Sequence, residues 1–318
     1  MSQDFNLVFG GPLKEIRVAR PCVAADGLRR MSGSTSLKLM SWNLLAPPYR
    51  RFRDGRRETE ASWRARMEEQ IGQAAAADAD VIGLQEFWVE NEAFVASWSE
   101  FASSRGYTMH VVPRTDGKRD GCAMLVRLPS SDCRFSAYTY KDWGSRILQV
   151  AELTFNGQPL TLMQTHLTFP HASAHDPPMR RQQGRKLAEL TRARSEPLCV
   201  FGDLNGDVDD DAVRVLTTLG GLRAPPQPEP TAGEEAGDWV SHVAHTGDLM
   251  ACDLVLTKGD CCVSAWRLAD TRKELVDGNL TSDHRPVIAT LRVASEDVLR
   301  EDGGSSSGDA TDEELSMH

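Results

Sequence analysis

Asp203 and Asn205 follow directly on a short apolar run, Leu198 to Phe201, bounded by Pro197 and Gly202. The run reads as a buried strand that ends in a sharp turn. On an extended backbone residues two apart point the same way, so a carboxylate and a carboxamide should emerge side by side from the rim of a sheet. The first can orient or deprotonate a water; the second can donate hydrogen bonds to an oxyanion. The same design recurs along the chain. Apolar stretches lead to Asn43, to Gln85 and Glu86, and to His166, and Thr281-Ser282-Asp283-His284 is a further polar tip. Polar groups that repeatedly fall at predicted strand ends point to strands that meet at one site. Hard oxygen donors without a thiolate or multi-histidine cluster favour Mg, with Mn second, over Zn.

The elements that must position these groups alternate in type. The first core strand runs from Leu37 to Asn43. Trp63, Met67, Ile71 and Ala75 recur at four-residue spacing, which predicts a helix over 58–78 lying flat on a sheet with its charged and amide residues on the other side. A strand from Asp80 to Leu84 follows, then a helix carrying Phe94, Trp98 and Phe101, and strands over 107–112 and 122–127. Asn156-Gly157 joins Ile147 to Phe155 and Leu160 to Thr165 as a hairpin. Helices are expected over 178–194 and 208–219, the latter opening on several Asp residues, and the last two core strands over 253–257 and 287–291. Residues 37–86 and 160–205 each run strand, polar tip, helix, strand, polar tip, which suits two similar half-sheets packed on one another.

One large catalytic unit over 36–294 is expected, preceded by an extension over 1–35 that could add an edge strand and followed by an acidic, disordered tail over 295–318. The formal charge of −10 is largely local. The tail holds eight acids and one Arg, which leaves the remainder near −3 and removes the objection to a phosphate-rich substrate. Basic loops at 50–57 and 113–121 make Arg50, Lys118 and Arg119 candidates for contact with an anionic substrate. Arg180, Arg181, Arg185 and Lys186 read as a solvated helix face. His171, His242 and His245 read as core or loop packing, and Trp143 as packing or a base-stacking platform. Seven cysteines, an odd number without a CxxC pair, suit a reduced protein of the cytoplasm or nucleus, with organelle import weakly supported. No run is long and apolar enough to span a membrane, and Asn279-Leu280-Thr281 is a glycosylation sequon only in a secreted chain.

Taken in order, SWN at 41–43, LQE at 84–86, THL at 165–167, GDLN at 202–205 and SDH at 282–284 resemble the motifs of the endonuclease/exonuclease/phosphatase superfamily. The resemblance covers about residues 37–292. It implies a DNase I-like α/β fold, a four-layer α/β/β/α sandwich of two packed mixed sheets, with a divalent metal at one rim. WNLLAPPY, ADVIGLQE and GKRDGCA are similar to the deadenylase and nocturnin branch; THLTFPH, GDLNGD and DWVSHVAHTGD resemble plant and algal members of it. No EF-hand loop is apparent.

Carried over by position, the resemblance makes Glu86 the Mg ligand, with Asn43 holding the metal shell or a phosphate oxygen and Asp283 joining this or a second metal site. Asp203 would activate the attacking water and Asn205 would bind the phosphate. His166 and His284 would stabilise charge on the phosphoryl oxygens or leaving group, and Asp253 would fix the tautomer of His284. Whether Asp or His is the base, and whether one metal or two act, stays open. The implied activity is a Mg-dependent phosphodiesterase, first a deadenylase-like 3′ exoribonuclease acting on RNA. The alternatives are a phosphatase of a small phosphorylated metabolite such as a nucleotide cofactor or inositol phosphate, a phosphoinositide or phospholipid head-group hydrolase, and a catalytically silent binding protein.

Overall fold

The computed structural model describes residues 13–16, 36–52, 55–128, 133–171, 175–226, 239–269 and 281–293. Cys22, Arg53, Asn279 of the sequon, most of the 223–238 loop and the acidic tail lie outside them.

Two six-stranded sheets carry the fold. The first contains β2 (Ser36–Asn43), β3 (Val81–Phe87), β4 (Thr108–Pro113), β5 (Gly121–Val126), β13 (Cys261–Leu268) and β14 (Val287–Val293), in the order β13-β14-β2-β3-β5-β4. The second contains β1 (Lys14–Ile16), β6 (Cys133–Thr139), β7 (Ile147–Phe155), β8 (Gln158–His166), β9 (Leu198–Asp203) and β12 (Asp253–Lys258), in the order β1-β6-β7-β8-β9-β12. A small ribbon pairs β10 (His242–Val243) with β11 (Leu249–Met250). The helices are α1 (Glu60–Ala77), α2 (Glu92–Ser104), α3 (Asp176–Arg192) and α4 (Asp211–Thr218).

Three apolar cores separate four layers. Leu39, Val81 and Met124 of one sheet meet Leu162, Phe201 and Val255 of the other. Met40, Trp42 and Ile82, on the opposite face of the first sheet, pack with Trp63 and Met67 of α1 and Trp98 of α2. Leu148, Met163 and Val200 pack with Leu187 of α3 and Val213 and Leu216 of α4. The alternation of Leu39 and Met40 between two cores is the period of two that places each strand between a helix layer and the partner sheet. The molecule is the α/β/β/α sandwich.

The internal echo is present in the topology. β2-α1-β3 and β8-α3-β9 are both strand-helix-strand units whose strands run parallel, with Asn43 beside Gln85 in one and His166 beside Asp203 in the other. Asn156 and Gly157 take φ of 52° and 78° at the β7–β8 turn, as that hairpin requires. Gly202 has φ 133°, and a Cβ there would stand 2.0 Å from the Thr165 carbonyl oxygen, so β8 and β9 approach closely just before the site.

Four expectations need correction. The partner of α1 is not reached only by its apolar stripe, since Arg66 and Gln70 on the expected polar side are buried as well. Arg180 and Lys186 are buried rather than solvated. Arg180 donates to the carbonyls of Thr168 and Leu204 and pairs with Asp210, and Lys186 donates to the Tyr140 carbonyl. The core strands over 253–257 and 287–291 are separated by a further strand, β13, whose bulge between Val263 and Ala265 breaks the alternation that marks a strand in sequence. β6 was not expected either. It is only half covered, so its sequence lacks an apolar run.

Candidate active site

Each parallel strand of the two twin units delivers its end to the same rim. Asn43 closes β2, Glu86 lies near the end of β3, His166 closes β8 and Asp203 closes β9. The antiparallel neighbours begin where these end, so Asp120 before β5, Arg146 before β7, Asp253 at the start of β12 and His284 before β14 arrive at that rim too.

Asp203 is the hub. Its Oδ2 accepts from Asn43 Nδ2 at 2.9 Å and faces His166 Nε2 at 3.3 Å and His284 Nε2 at 3.6 Å. Its Oδ1 accepts the Asn205 backbone N–H at 2.9 Å. Asn205 is therefore not extended. It takes φ 52° in a turn that folds back on Asp203, and its Nδ2 donates to the Leu167 carbonyl at 2.8 Å. The two side chains are neighbours, but through a tight turn rather than through strand alternation. Burial alone would raise the Asp203 carboxyl, but His166, His284 and the Asn43 hydrogen bond outweigh it and hold it well below the usual carboxylate range.

His284 Nδ1 bonds Asp253 Oδ2 at 2.8 Å, and Asp253 lies directly across the ladder from Asp203. Burial opposes a charged imidazole, yet Asp253 and Asp203 push His284 up to about 10, so it carries its proton at neutral pH. The backbone N–H of His284 donates to Ser282 Oγ, whose own hydroxyl donates to the Asn43 carbonyl. His242 lies flat on the His284 ring, centroids 3.9 Å apart, with its Nδ1 3.0 Å from the Asp283 carbonyl. It covers the site residue and is not merely a loop residue. His166 is pushed well below the ordinary imidazole range by burial and by Arg146, against the pull of Asp203.

Glu86 forms a second focus. It takes φ 48° at a bulge in β3, where the register against β5 shifts between Leu84 and Phe87. Its Oε2 accepts the Ala46 N–H, and burial together with Asp120 and Asp283 raises it to about 7. A buried carboxylate crowded by two more is a place where a hard divalent cation would relieve the repulsion, so Glu86, Asp283 and the Asn43 carboxamide fit the donor set. Two closer groupings, Asp203–Cys252–His284 and His242–Asp283–His284, have their donor atoms within 4.8 Å of one another. Neither suits that cation, because the His284 nitrogens are engaged by Asp253 and Asp203.

The expected substrate residues are less convergent. Arg50 pairs with Glu58 and is drawn toward Asp283 electrostatically; Arg119 pairs with Glu90 on the surface, and Lys118 is exposed. His171 pairs with Asp176, His245 lies by Phe169, and the exposed Trp143 ring is 5.8 Å from that of His175. The loop before β5 instead contributes Asp120, which accepts from Tyr49 at 2.6 Å and from Arg114 at 2.9 Å. Asp120 and Arg146 carry no strand-end mark in the sequence because each stands before a strand, whereas Arg114 follows β4 directly among the charged residues of the 113–121 loop. In an antiparallel neighbour the residue before the strand reaches the same rim.

The sequence model described as the Endonuclease/Exonuclease/phosphatase family matches residues 40–284. An Arabidopsis thaliana protein named as an uncharacterized calcium-binding protein is 27% identical over 247 residues, covering 70% of this chain and 50% of that protein. The chain thus spans about half the length of the curated relative it matches. Among solved structures, ANGEL2, titled a 2',3'-cyclic phosphatase in complex with adenosine-2',3'-vanadate, is similar with TM-score 0.63 and 16% identity over 81% of this chain and 96% of its own. A humanized D. rerio TDP2 has TM-score 0.60 and 19% identity over 82% and 100%. The human Nocturnin catalytic domain with bound sulfate has TM-score 0.56 and 16% identity over 82% and 95%. With the ordered motifs on one rim of the sandwich and the family match across most of the chain, the protein belongs to the endonuclease/exonuclease/phosphatase family of phosphoric ester hydrolases.

Proposed function

We propose that the chain is a Mg-dependent phosphodiesterase that removes nucleotides from the 3′ end of RNA in the manner of a deadenylase. The observation that carries the hydrolytic part is the Asp203–His284–Asp253 line, in which an ionised carboxylate faces a protonated imidazole whose far nitrogen is held by a second carboxylate. A water placed at Asp203 gives it a proton as the new P–O bond forms. The ester P–O bond breaks on the far side, and the His284 imidazolium supplies the proton or the positive charge that the leaving oxygen needs. Asn205 and Asn43 carry the carboxamide N–H groups that would orient the phosphoryl oxygens. A Mg ion held by Glu86, with Asn43 and Asp283 beside it, would supply Lewis-acid charge to those oxygens.

A phosphatase acting on a small phosphorylated metabolite is the second reading. It is favoured by the ion pairs that tie up Arg50 and Arg119, which weaken the basic loops as a path for a strand. The six described cysteines are unpaired, which suits the cytoplasm or nucleus, and no helix among the described residues is long and apolar enough to cross a membrane.

The test is Mg-dependent hydrolysis of a labelled oligoadenylate beside a panel of nucleotide cofactors and inositol phosphates, with Asp203→Ala purified in parallel. Stepwise shortening by wild type, reduced by roughly three orders of magnitude or more in Asp203→Ala, supports the first reading. Phosphate release from the panel without shortening selects the second. An Asp203→Ala protein with near-normal turnover refutes the assignment of Asp203.

A further inference from the structure

Arg146 is a buried cation without a hydrogen-bonded partner. Its side chain is 9% exposed, and its Nε and Nη1 are both buried and bonded to nothing. A guanidinium has five N–H donors and cannot shed its charge, so burying the three on Nε and Nη1 idle costs free energy that folding alone does not return. Native interiors rarely tolerate this, and where they do a ligand commonly completes the set.

The surroundings say what kind of ligand. Arg146 immediately precedes β7 and lies at the rim where Asp203, Glu86 and Asp120 act on it electrostatically. Its backbone carbonyl accepts from Tyr140, closing the turn that contains Gly144, and its Cγ would be 3.3 Å from a Cβ at Gly144, so the turn runs close beside the side chain. Arg114 is the other cation acting on it. Both of its arms are fixed, Nη1 by Asp120 and Nη2 by the Gly144 carbonyl, while its Nε is buried and unbonded. His166, whose Nε2 faces Asp203 at 3.3 Å, has a buried Nδ1 with no partner and is depressed by the same Arg146. Arg114 repels the Arg146 charge, which Asp120, Glu86 and Asp203 attract without any of them bonding to its side chain. Arg146 Nε with one hydrogen, its Nη1 with two and Arg114 Nε with one leave four buried N–H donors idle, and cationic donors of this kind suit the oxygens of a tetrahedral oxyanion.

We propose that Arg146, braced by Arg114, is the oxyanion clamp of this site, one of its buried, unbonded guanidinium edges taking a non-bridging oxygen of the phosphoryl group that is attacked. The clamp rests on the phosphoesterase reading for its place in a reaction, but not for its existence as a phosphate site. It accounts for a feature the metal and the Asp203 line leave unexplained. The negative charge that builds on phosphorus-bound oxygens would be met from the Arg146 side as well as from the Glu86 side, and the idle donors would cost nothing further to orient when that charge appears.

The test uses the full chain and two variants, Arg146→Gln and Arg146→Lys, with inorganic phosphate as the probe. Two readouts are taken: turnover of whichever ester the wild type hydrolyses, and the shift in Tm that phosphate produces in the presence of Mg. Arg146→Gln should lose about 10²- to 10³-fold in kcat, and Arg146→Lys should recover only a small part of it because an ammonium cannot fork. Both variants should keep a phosphate-free Tm close to that of wild type, while the phosphate-induced rise disappears in Arg146→Gln. Turnover within about threefold of wild type, or an unchanged phosphate shift, would overturn the clamp. So would a large fall in the phosphate-free Tm that Arg146→Lys fully repairs together with activity, since that pattern belongs to a structural cation. If the wild type hydrolyses none of the esters yet gains stability from phosphate only when Arg146 is present, the clamp stands and the hydrolytic reading falls. If phosphate does not stabilise the wild type, the clamp falls whatever the hydrolysis.

Discussion

His284 is the residue whose protonation the rest of the centre is arranged to hold. Its ordinary value of 6.5 is raised to about 10 because the charges of Asp253 and Asp203 outweigh the cost of burial. A raised cationic group keeps its charge up to the folded value, so the imidazolium persists through neutral pH and is lost only on approach to pH 10. Asp253→Asn removes the larger of these supports. The alkaline limb of the kcat profile should then move from near pH 10 toward neutrality, with a loss of about 10²-fold at pH 8 that narrows as pH falls. A profile that keeps its alkaline limb would mean that His284 does not act as a cation in turnover. Asp253 also has an unbonded Oδ1, so the amide can be accommodated at Nδ1 with its N–H₂ turned to that side.

At the scale of elements, α1 holds the site from beneath. Arg66 donates to the carbonyls of Leu44, Leu45 and Thr281, and Gln70 donates again to Leu44 and Thr281. Arg66 is itself fixed by Glu58, whose side chain is wholly buried, at 2.6 Å. The loops that carry Asn43 and Asp283 are thereby tied to one helix. Arg66→Ala would leave the buried Glu58 charge with only Arg50 at 3.5 Å and take the side-chain donor from the Leu45 carbonyl, with an expected loss of about 3 kcal/mol in urea denaturation. A loss under about 1 kcal/mol would mean that the loops do not depend on this anchor.

What could be read from the chain follows the same logic. α1, α2 and the twin strand-helix-strand units were legible because Trp63, Met67, Phe94 and Trp98 recur at helical spacing and the strands between them are unbroken apolar runs. Asn43, Glu86, His166 and Asp203 were legible because a polar residue after a buried strand has nowhere to go but the rim. Arg66 and Arg180 were not, because a charged residue on a helix gives no sign that carbonyls from distant loops will surround it. Arg146 stood before a strand, where only the antiparallel pairing of β7 with β8 turns it toward the site.

For the molecule as a whole, two groups make stability depend on pH in the same direction. Glu86 ionises near 4.5 in an unfolded chain but only near 7 when folded, so between these values the folded state binds the extra proton and is favoured at the acid end. His284 adds to this from 6.5 to about 10, where stability present at the lower pH is lost. Metal-free protein should therefore show a Tm that declines from pH 7 to 8.5, above the range in which the depressed His110, His166 and His242 act in the opposite direction. On the proposal that Mg is held by the ionised Glu86, the stabilisation it confers should grow from pH 5.5 to 8.5, and Glu86→Gln should remove that growth. A Mg effect independent of pH and of Glu86 would remove this residue from the metal site.

The first sheet is also unusual in how it is completed. β2 (Ser36–Asn43), made early, finds one of its two neighbours in β14 (Val287–Val293), and His284 is carried by the segment that leads into that strand. During synthesis, then, an emerging chain holds Glu86, His166 and Asp203 long before it holds the partner that gives Asp203 its cation, and β2 waits with an open edge. Competence would then come in one late step, because the same strand insertion that covers the β2 edge also brings His284 to Asp203.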